Sequence, residues 1–184
     1  MIDKNCQEFL LKLAKEAIVS YMESGKESEL RRTIPQELLT PRGSFVTLNV
    51  KGELHGCIGR LETEELLYKD IISNATGAAF FDYRFSPLTK SDLEDLTIEI
   101  SLLTTPVKLE LTDREEILRY LGERKPGVIL KNGVYQSTFL PQVWEEIPQA
   151  ETFLKHLSAK AGMDVNAWQY SEIYTYQAEV IPSS

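Results

Sequence analysis

The sequence predicts an α+β fold built on a largely antiparallel sheet with flanking helices, and three observations carry that expectation. Two stretches read as β-hairpins: residues 45–50 and 54–59 around Lys51-Gly52-Glu53, and residues 127–131 and 134–139 around Asn132-Gly133. Between them, Leu96 to Leu103 alternates with period two, Leu96, Ile98, Ile100 and Leu102 facing in and Thr97, Glu99 and Ser101 facing out. Residues 3–23, by contrast, carry apolar side chains at helical spacing. Short mixed elements joined by hairpins belong to α+β rather than to alternating βαβ architecture.

In chain order, the first helix is capped by Asp3, buries a stripe of Cys6, Phe9, Leu10, Leu13, Ala17, Ile18 and Tyr21, and stops at Ser24-Gly25. Residues 26–44 are polar, contain Pro35 and Pro41, and read as a surface crossing with room for one helical turn. After the first hairpin, residues 64–81 form a second helix with Leu67, Ile71, Ala75, Ala78 and Ala79 inward and with Asn74 and Gly77 as interruptions. A compact turn over residues 82–89 precedes a capping box at Thr89-Lys90-Ser91-Asp92. A second box at Thr112-Asp113-Arg114-Glu115 opens a helix that stops at Gly122. Pro141 and Pro148 start the next two helices, the latter ending at Gly162, and Asp164 caps a turn carrying Trp168. Residues 173–181 are read as one final strand burying Tyr174, Tyr176, Ala178 and Val180.

At 184 residues the chain is expected to be a single domain, 1–184, with a smaller inserted lobe at 107–140, where a helix and a hairpin interrupt strands of similar character. Twenty Lys plus Arg against 28 Asp plus Glu give a net charge of −8, which repels phosphate backbones, so nucleic acid is excluded as a partner. No stretch is apolar over the length that spans a bilayer, which excludes a membrane role. Asp3, Lys4, Glu8 and Lys12 occupy positions where a signal peptide needs an apolar run, and two widely separated cysteines read as reduced thiols. Both point to the cytoplasm.

The chemistry concentrates in Leu54-His55-Gly56-Cys57-Ile58-Gly59, which holds one of two cysteines and one of two histidines between glycines. A type I turn from Asn49 to Gly52 would pair Thr47 with His55 and Phe45 with Cys57, placing His55 and Cys57 on one face with Leu54 and Ile58 on the other. Cys57 is the candidate nucleophile or redox thiol, with His55 as the cation that favours its thiolate; a small hydrophobe in a buried strand is the alternative. Gly56 and Gly59 leave room for a ligand or another backbone, and Thr47 lines the same face. Arg84 can bind a carboxylate or phosphate through its planar fork, or pair structurally with Asp82. Gln142 can offer its amide to a ligand or satisfy loop backbone. One cysteine and one histidine fall short of a closed metal site, so no metal is expected, and no cofactor can be named.

Four ordered segments resemble one family. Leu54-His55-Gly56-Cys57-Ile58-Gly59 is similar to the Leu-Arg-Gly-Cys-Ile-Gly signature of the AMMECR family, known in microbes as AmmeMemoRadiSam system protein A. Residues 82–89, Asp-Tyr-Arg-Phe-Ser-Pro-Leu-Thr, resemble its Asp-Pro-Arg-Phe-Pro-Pro-Leu-Thr segment. Phe139-Leu140-Pro141-Gln142-Val143 and residues 174–179 resemble two further segments. His55 stands where the family usually has arginine, and Tyr83 and Ser86 stand in place of prolines. The resemblance implies an α+β fold with two unequal lobes and a cleft beside the signature, no established activity, and work shared with a Memo-like protein and a radical-SAM enzyme. Two functions fit: a binding or scaffold subunit for an anionic small molecule or peptide, or a thiol-dependent enzyme or modification target using Cys57 with His55 and Arg84.

Overall fold

The computed structural model describes residues 2–26 and 32–183, so residues 27–31 of the expected 26–44 crossing lie outside the described residues. In chain order the elements are α1 (Lys4–Ser24), β1 (Ser44–Val50), β2 (Glu53–Arg60), α2 (Leu67–Phe80), β3 (Leu96–Leu103), β4 (Val107–Lys108), α3 (Arg114–Arg124), β5 (Gly127–Asn132), β6 (Tyr135–Phe139), α4 (Val143–Glu146), α5 (Ala150–Lys160), β7 (Glu172–Tyr176) and β8 (Ala178–Pro182). The chain divides into two compact units, residues up to Leu103 with those from Glu179 on, and Thr104–Ala178. The fold is α+β, with two four-stranded sheets.

In the first unit the strand order is β2-β1-β3-β8, with β1 antiparallel to both β2 and β3. α1 starts where Asp3 accepts the Cys6 N–H at 2.7 Å and ends at Gly25, whose φ of 67° is the left-handed cap that glycine tolerates. Its stripe of Leu10, Leu13, Ala14, Ala17 and Ile18 is fully buried against α2 and the sheet, in one core with Val46, Leu48, Ile71, Ala75, Ile98 and Ile100. Small residues on α2 let its backbone approach β2 closely. Before β3, the Asp92 carboxylate accepts the Thr89 N–H at 2.8 Å, completing the expected capping box on a 3₁₀ turn, Lys90–Glu94.

The second unit has the order β4-β7-β5-β6, again antiparallel in each pairing, around a separate core of Leu121, Leu130, Trp144, Phe153, Leu157 and Trp168. Residues 107–140 lie within it, together with α4, α5 and β7.

Four elements differ from the sequence expectation. The first turn is centred on Lys51 and Gly52, at φ 55° and 80°, rather than opened by Asn49, because the primed turn matches strand twist. α3 is capped by Asp113, which accepts the Glu116 N–H at 2.9 Å, and passes Gly122 to stop at a left-handed Lys125 before Pro126. In the second hairpin Gly133 takes the first central position, φ 59°, with Asn132 paired to Tyr135. Residues 173–181 are two strands, not one. β7 pairs with β5, β8 joins β3, and the break at Gln177 is held where Thr104 donates its N–H to Gln177 O at 2.9 Å. The buried side chains are accordingly Ile173, Tyr176 and Ile181, while Val180 is exposed.

Candidate functional site

β2 is the outer strand of the first sheet, so every second residue turns its backbone N–H and C=O away from β1. At Cys57 both outward groups are taken by one side-chain pair. Asp82 Oδ2 accepts the Cys57 N–H at 3.0 Å, and Arg84 Nη2 donates to the Cys57 carbonyl at 3.1 Å. Asp82 and Arg84 are themselves joined in a fork, Nε to Oδ1 at 2.9 Å and Nη2 to Oδ2 at 2.6 Å. The pair thus mimics a missing neighbour strand. Asp82 is only 5% exposed, yet Arg84 above all, with the Cys57 and Arg84 backbone N–H groups, holds its pKa down to about 2 against the opposing effect of burial.

The register of the first hairpin decides what faces the thiol. Thr47 lies opposite Cys57 and Phe45 opposite Gly59, and the pairing slips between Leu48 and Asn49, leaving His55 as the extra residue of a bulge. The expected Thr47–His55 and Phe45–Cys57 partnerships are displaced by two residues, one from the turn centred on Lys51 and Gly52 and one from the bulge. The bulge also brings Leu54, opposite Asn49, onto the face that Cys57 shares with Thr47, so strict alternation fails there. Thr47 Oγ1 donates to Cys57 Sγ at 3.2 Å. Across β1, Thr47 is paired with Glu99 of β3, so acid, hydroxyl and thiol form one row over three strands. His55 instead stacks on Phe85, ring centroids 6.2 Å apart, and its buried Nε2 has no partner among the described residues.

The half-buried Cys57 thiol is pushed above its ordinary pKa. Burial is the main cause; the Thr47 hydroxyl and Arg84 work against it, and the Asp82 and Glu99 charges add to it. Cys6 is pushed higher, to about 11, by burial and by Asp3 and Glu37.

The two signature glycines leave gaps that protein fills. A Cβ on Gly56 would fall 2.1 Å from the Ala78 carbonyl oxygen of α2, and one on Gly59 would fall 2.3 Å from the Phe45 ring. The space predicted for a ligand on those faces is thus taken by a helix backbone and an aromatic ring. Gln142 stands in the second unit, where its carbonyl accepts the Glu145 N–H at 3.0 Å just before α4.

Sequence reasoning passed over one cluster. Buried Asp70 accepts from Ser44 Oγ at 3.0 Å, from Asn74 Nδ2 at 3.1 Å and from Arg60 Nη1 at 2.6 Å, fastening α2 to β1 and β2. The signal was present in the helical pattern, since Asp70 and Asn74 are polar at four-residue spacing beside inward Leu67 and Ile71. The structural pairing of Arg84 with Asp82, one of the two readings the sequence offers for Arg84, is formed, whereas the bond from the Cys57 N–H to Asp82 has no signal in the sequence.

A two-unit α+β protein with a thiol held on a side-chain-clamped sheet edge is the class that fold and site define. The AMMECR1 family profile matches residues 11–181, and the chain belongs to that family. It is 39% identical over 183 residues to Protein MK0488 of Methanopyrus kandleri, covering 94% of this chain and 86% of that protein. It is 35% identical over 185 residues to Protein PH0010 of Pyrococcus horikoshii, covering 94% and 87%. The crystal structure of uncharacterized protein PH0010 superposes with a TM-score of 0.89 at 34% identity, covering 97% of this chain and 92% of that one. No helix among the described residues is long and apolar enough to cross a membrane.

Proposed function

We propose that the protein is a non-catalytic binding subunit whose Cys57 face recognises an anionic small molecule or peptide, working alongside the Memo-like and radical-SAM partners that the family resemblance implies. The observation that carries this reading is the state of the thiol. Its hydrogen-bonding neighbour is the Thr47 hydroxyl, not a base, and burial raises its pKa, so at neutral pH it keeps its proton and is a poor nucleophile. Arg84 supports the anion: its Nε and Nη2 are fixed by Asp82 and the Cys57 carbonyl, and its side chain is still 47% exposed. Thr47 supplies a hydroxyl on the sheet face. The thiol-enzyme reading has one observation in its favour, since Arg84 and Thr47 both lower the Cys57 pKa.

The test is the iodoacetamide labelling rate of Cys57 from about pH 5.5 to 9.5 in a Cys6→Ser background. The binding reading expects one alkaline rise, lying above that of the same thiol in the urea-unfolded chain. Labelling at pH 6–7 faster than in the unfolded chain would overturn it in favour of the enzyme. A thermal-shift titration with phosphate and succinate tests the ligand class. Stabilisation that disappears in Arg84→Gln is expected, and equal stabilisation of both proteins would remove the anion role.

A further inference from the structure

The turn that clamps Cys57 carries more aromatic surface than the clamp uses. Phe81, Tyr83 and Phe85 alternate with Asp82 and Arg84, so three rings and a guanidinium come from five consecutive residues. The fold accounts for three of the five. Asp82 and Arg84 hold the Cys57 backbone, and Phe85 stacks on His55 with the Arg84 guanidinium 5.3 Å from its ring centroid. Phe81 and Tyr83 are left outside. Phe81 is 62% exposed, its ring set edge-on to Tyr21 with centroids 5.6 Å apart. Tyr83 is 95% exposed, so its ring packs against almost nothing. Leu54, 46% exposed, adds apolar surface on the sheet face that carries the thiol.

The backbone beneath these side chains is held firmly. Phe81 donates its N–H to Gly77 O at 2.9 Å, Phe85 to Asp82 O at 3.0 Å and Leu88 to Ala79 O at 2.8 Å. Side chains presented on an ordered backbone lose little freedom when a partner arrives. The electrostatics point the same way. Within the ion pair the Asp82 side chain is 2% exposed and that of Arg84 47%, so the acid lies inside and the turn shows its cation to solvent. No Lys or Glu occurs in residues 80–89. Tyrosine, phenylalanine and arginine without lysine or glutamate is the composition found at the energetic centre of protein interfaces.

We propose that residues 81–87 form the docking surface for an acidic polypeptide segment, a carboxylate of the partner meeting Arg84 and a neighbouring apolar side chain lying against Tyr83 and Phe81. This rests on the anion-binding reading of the Cys57 face and commits that reading to a peptide. The shape of the surface decides it. Small-molecule sites are concave, whereas a ring 95% exposed stands out from the surface. A free anion would use the guanidinium and leave both rings in water. A polypeptide covers rings and cation together, and its acid supplies the charge that complements Arg84.

The test is selection of a phage-displayed library of random peptides on the full chain, followed by fluorescence anisotropy with the recovered peptides made synthetically. Those peptides should carry Asp or Glu beside an apolar side chain. Tyr83→Ala removes a ring that the fold does not use, and should weaken binding about tenfold or more at an unchanged urea midpoint. Changing the peptide's acid to its amide should weaken binding to the parent and make no further difference in Arg84→Gln. The proposal is overturned if no peptide is recovered, if Tyr83→Ala binds as tightly as the parent, or if the acid and Arg84 act independently. Succinate separates this failure from that of the anion reading. Stabilisation by succinate that needs Arg84, alongside peptide binding indifferent to Tyr83, removes the docking surface alone. Self-association abolished by Tyr83→Ala, or Tyr83-dependent binding to phosphatidylserine vesicles, would assign the surface to a second copy or a membrane and overturn the peptide.

Discussion

The Asp82 carboxylate joins two parts of the chain at single-residue resolution, holding the Cys57 N–H with one oxygen and Arg84 with both. Its pKa of about 2 lies below the ordinary carboxylate value, so the ionised form stabilises the fold. That contribution is fully present above the unfolded pKa near 4 and is lost as pH falls toward 2. Asp82→Asn should therefore cost on the order of 2 kcal/mol at pH 7. The gap between variant and parent in urea unfolding should narrow between pH 4 and pH 2. A constant gap over that interval would show that the charge contributes nothing and that only the shape of the side chain matters. From sequence, the thiol and its strand were legible, but the thiol's neighbours were not. Thr47, rather than Phe45, lies opposite Cys57 because the turn and one bulged residue each shift the register by one, and nothing in a local pattern announces a bulge. Likewise Asp82 reaches Cys57 across 25 positions of sequence, which only the tertiary fold supplies.

Where β2 meets α2, the spacing between elements is set by what is missing. Gly56 lies under the Ala78 carbonyl, and Gly77 faces Ile58, so helix and strand pack backbone to side chain without an intervening Cβ. The glycine in the strand was legible as a close approach, and the small residues of α2 as tight packing against a sheet. Which of the two, ligand or helix, would enter the gap at Gly56 could not be read, because both ask for the same residue. Gly56→Ala places a methyl 2.1 Å from an oxygen that belongs to a helix backbone and cannot swing aside. Overpacking of this kind costs about 1–3 kcal/mol where side chains can yield, and the upper end is expected here. The measurement is the urea midpoint of the first unit, followed by the exposure of Cys57 to a thiol reagent. A variant as stable as its parent would mean that α2 can shift outward freely. The break at Gln177 marks the other limit of local reading, since residues 173–181 are uniformly strand-like and only the partner strands show that they serve two sheets.

Two separate cores give the whole molecule a choice that a single core would not have. The cluster containing Leu10, Leu48 and Ile100 and the cluster containing Trp144, Phe153 and Leu157 share no residues, and the chain enters the second unit at Thr104 and leaves it at Ala178. Thr104 and Gln177 are bonded to each other at that passage, N–H to carbonyl and N–H to hydroxyl, each at 2.9 Å, so the ends of the second unit are held together by the fold itself. An inserted unit whose ends already meet can unfold or refold without pulling its host apart, at little entropic cost for closing its loop. Unfolding is then expected to deviate from two-state behaviour, and the molecule carries its own reporters. Both tryptophans belong to the second unit, whereas Cys6 and Cys57 belong to the first. Leu157→Ala removes a fully buried side chain from the second core and should cost about 2–5 kcal/mol there. The tryptophan fluorescence midpoint in urea should fall accordingly, while the midpoint for thiol exposure in the same sample stays where the parent has it. If both midpoints instead fall together, the two cores form one cooperative unit, and the division seen in the contacts has no counterpart in the energetics.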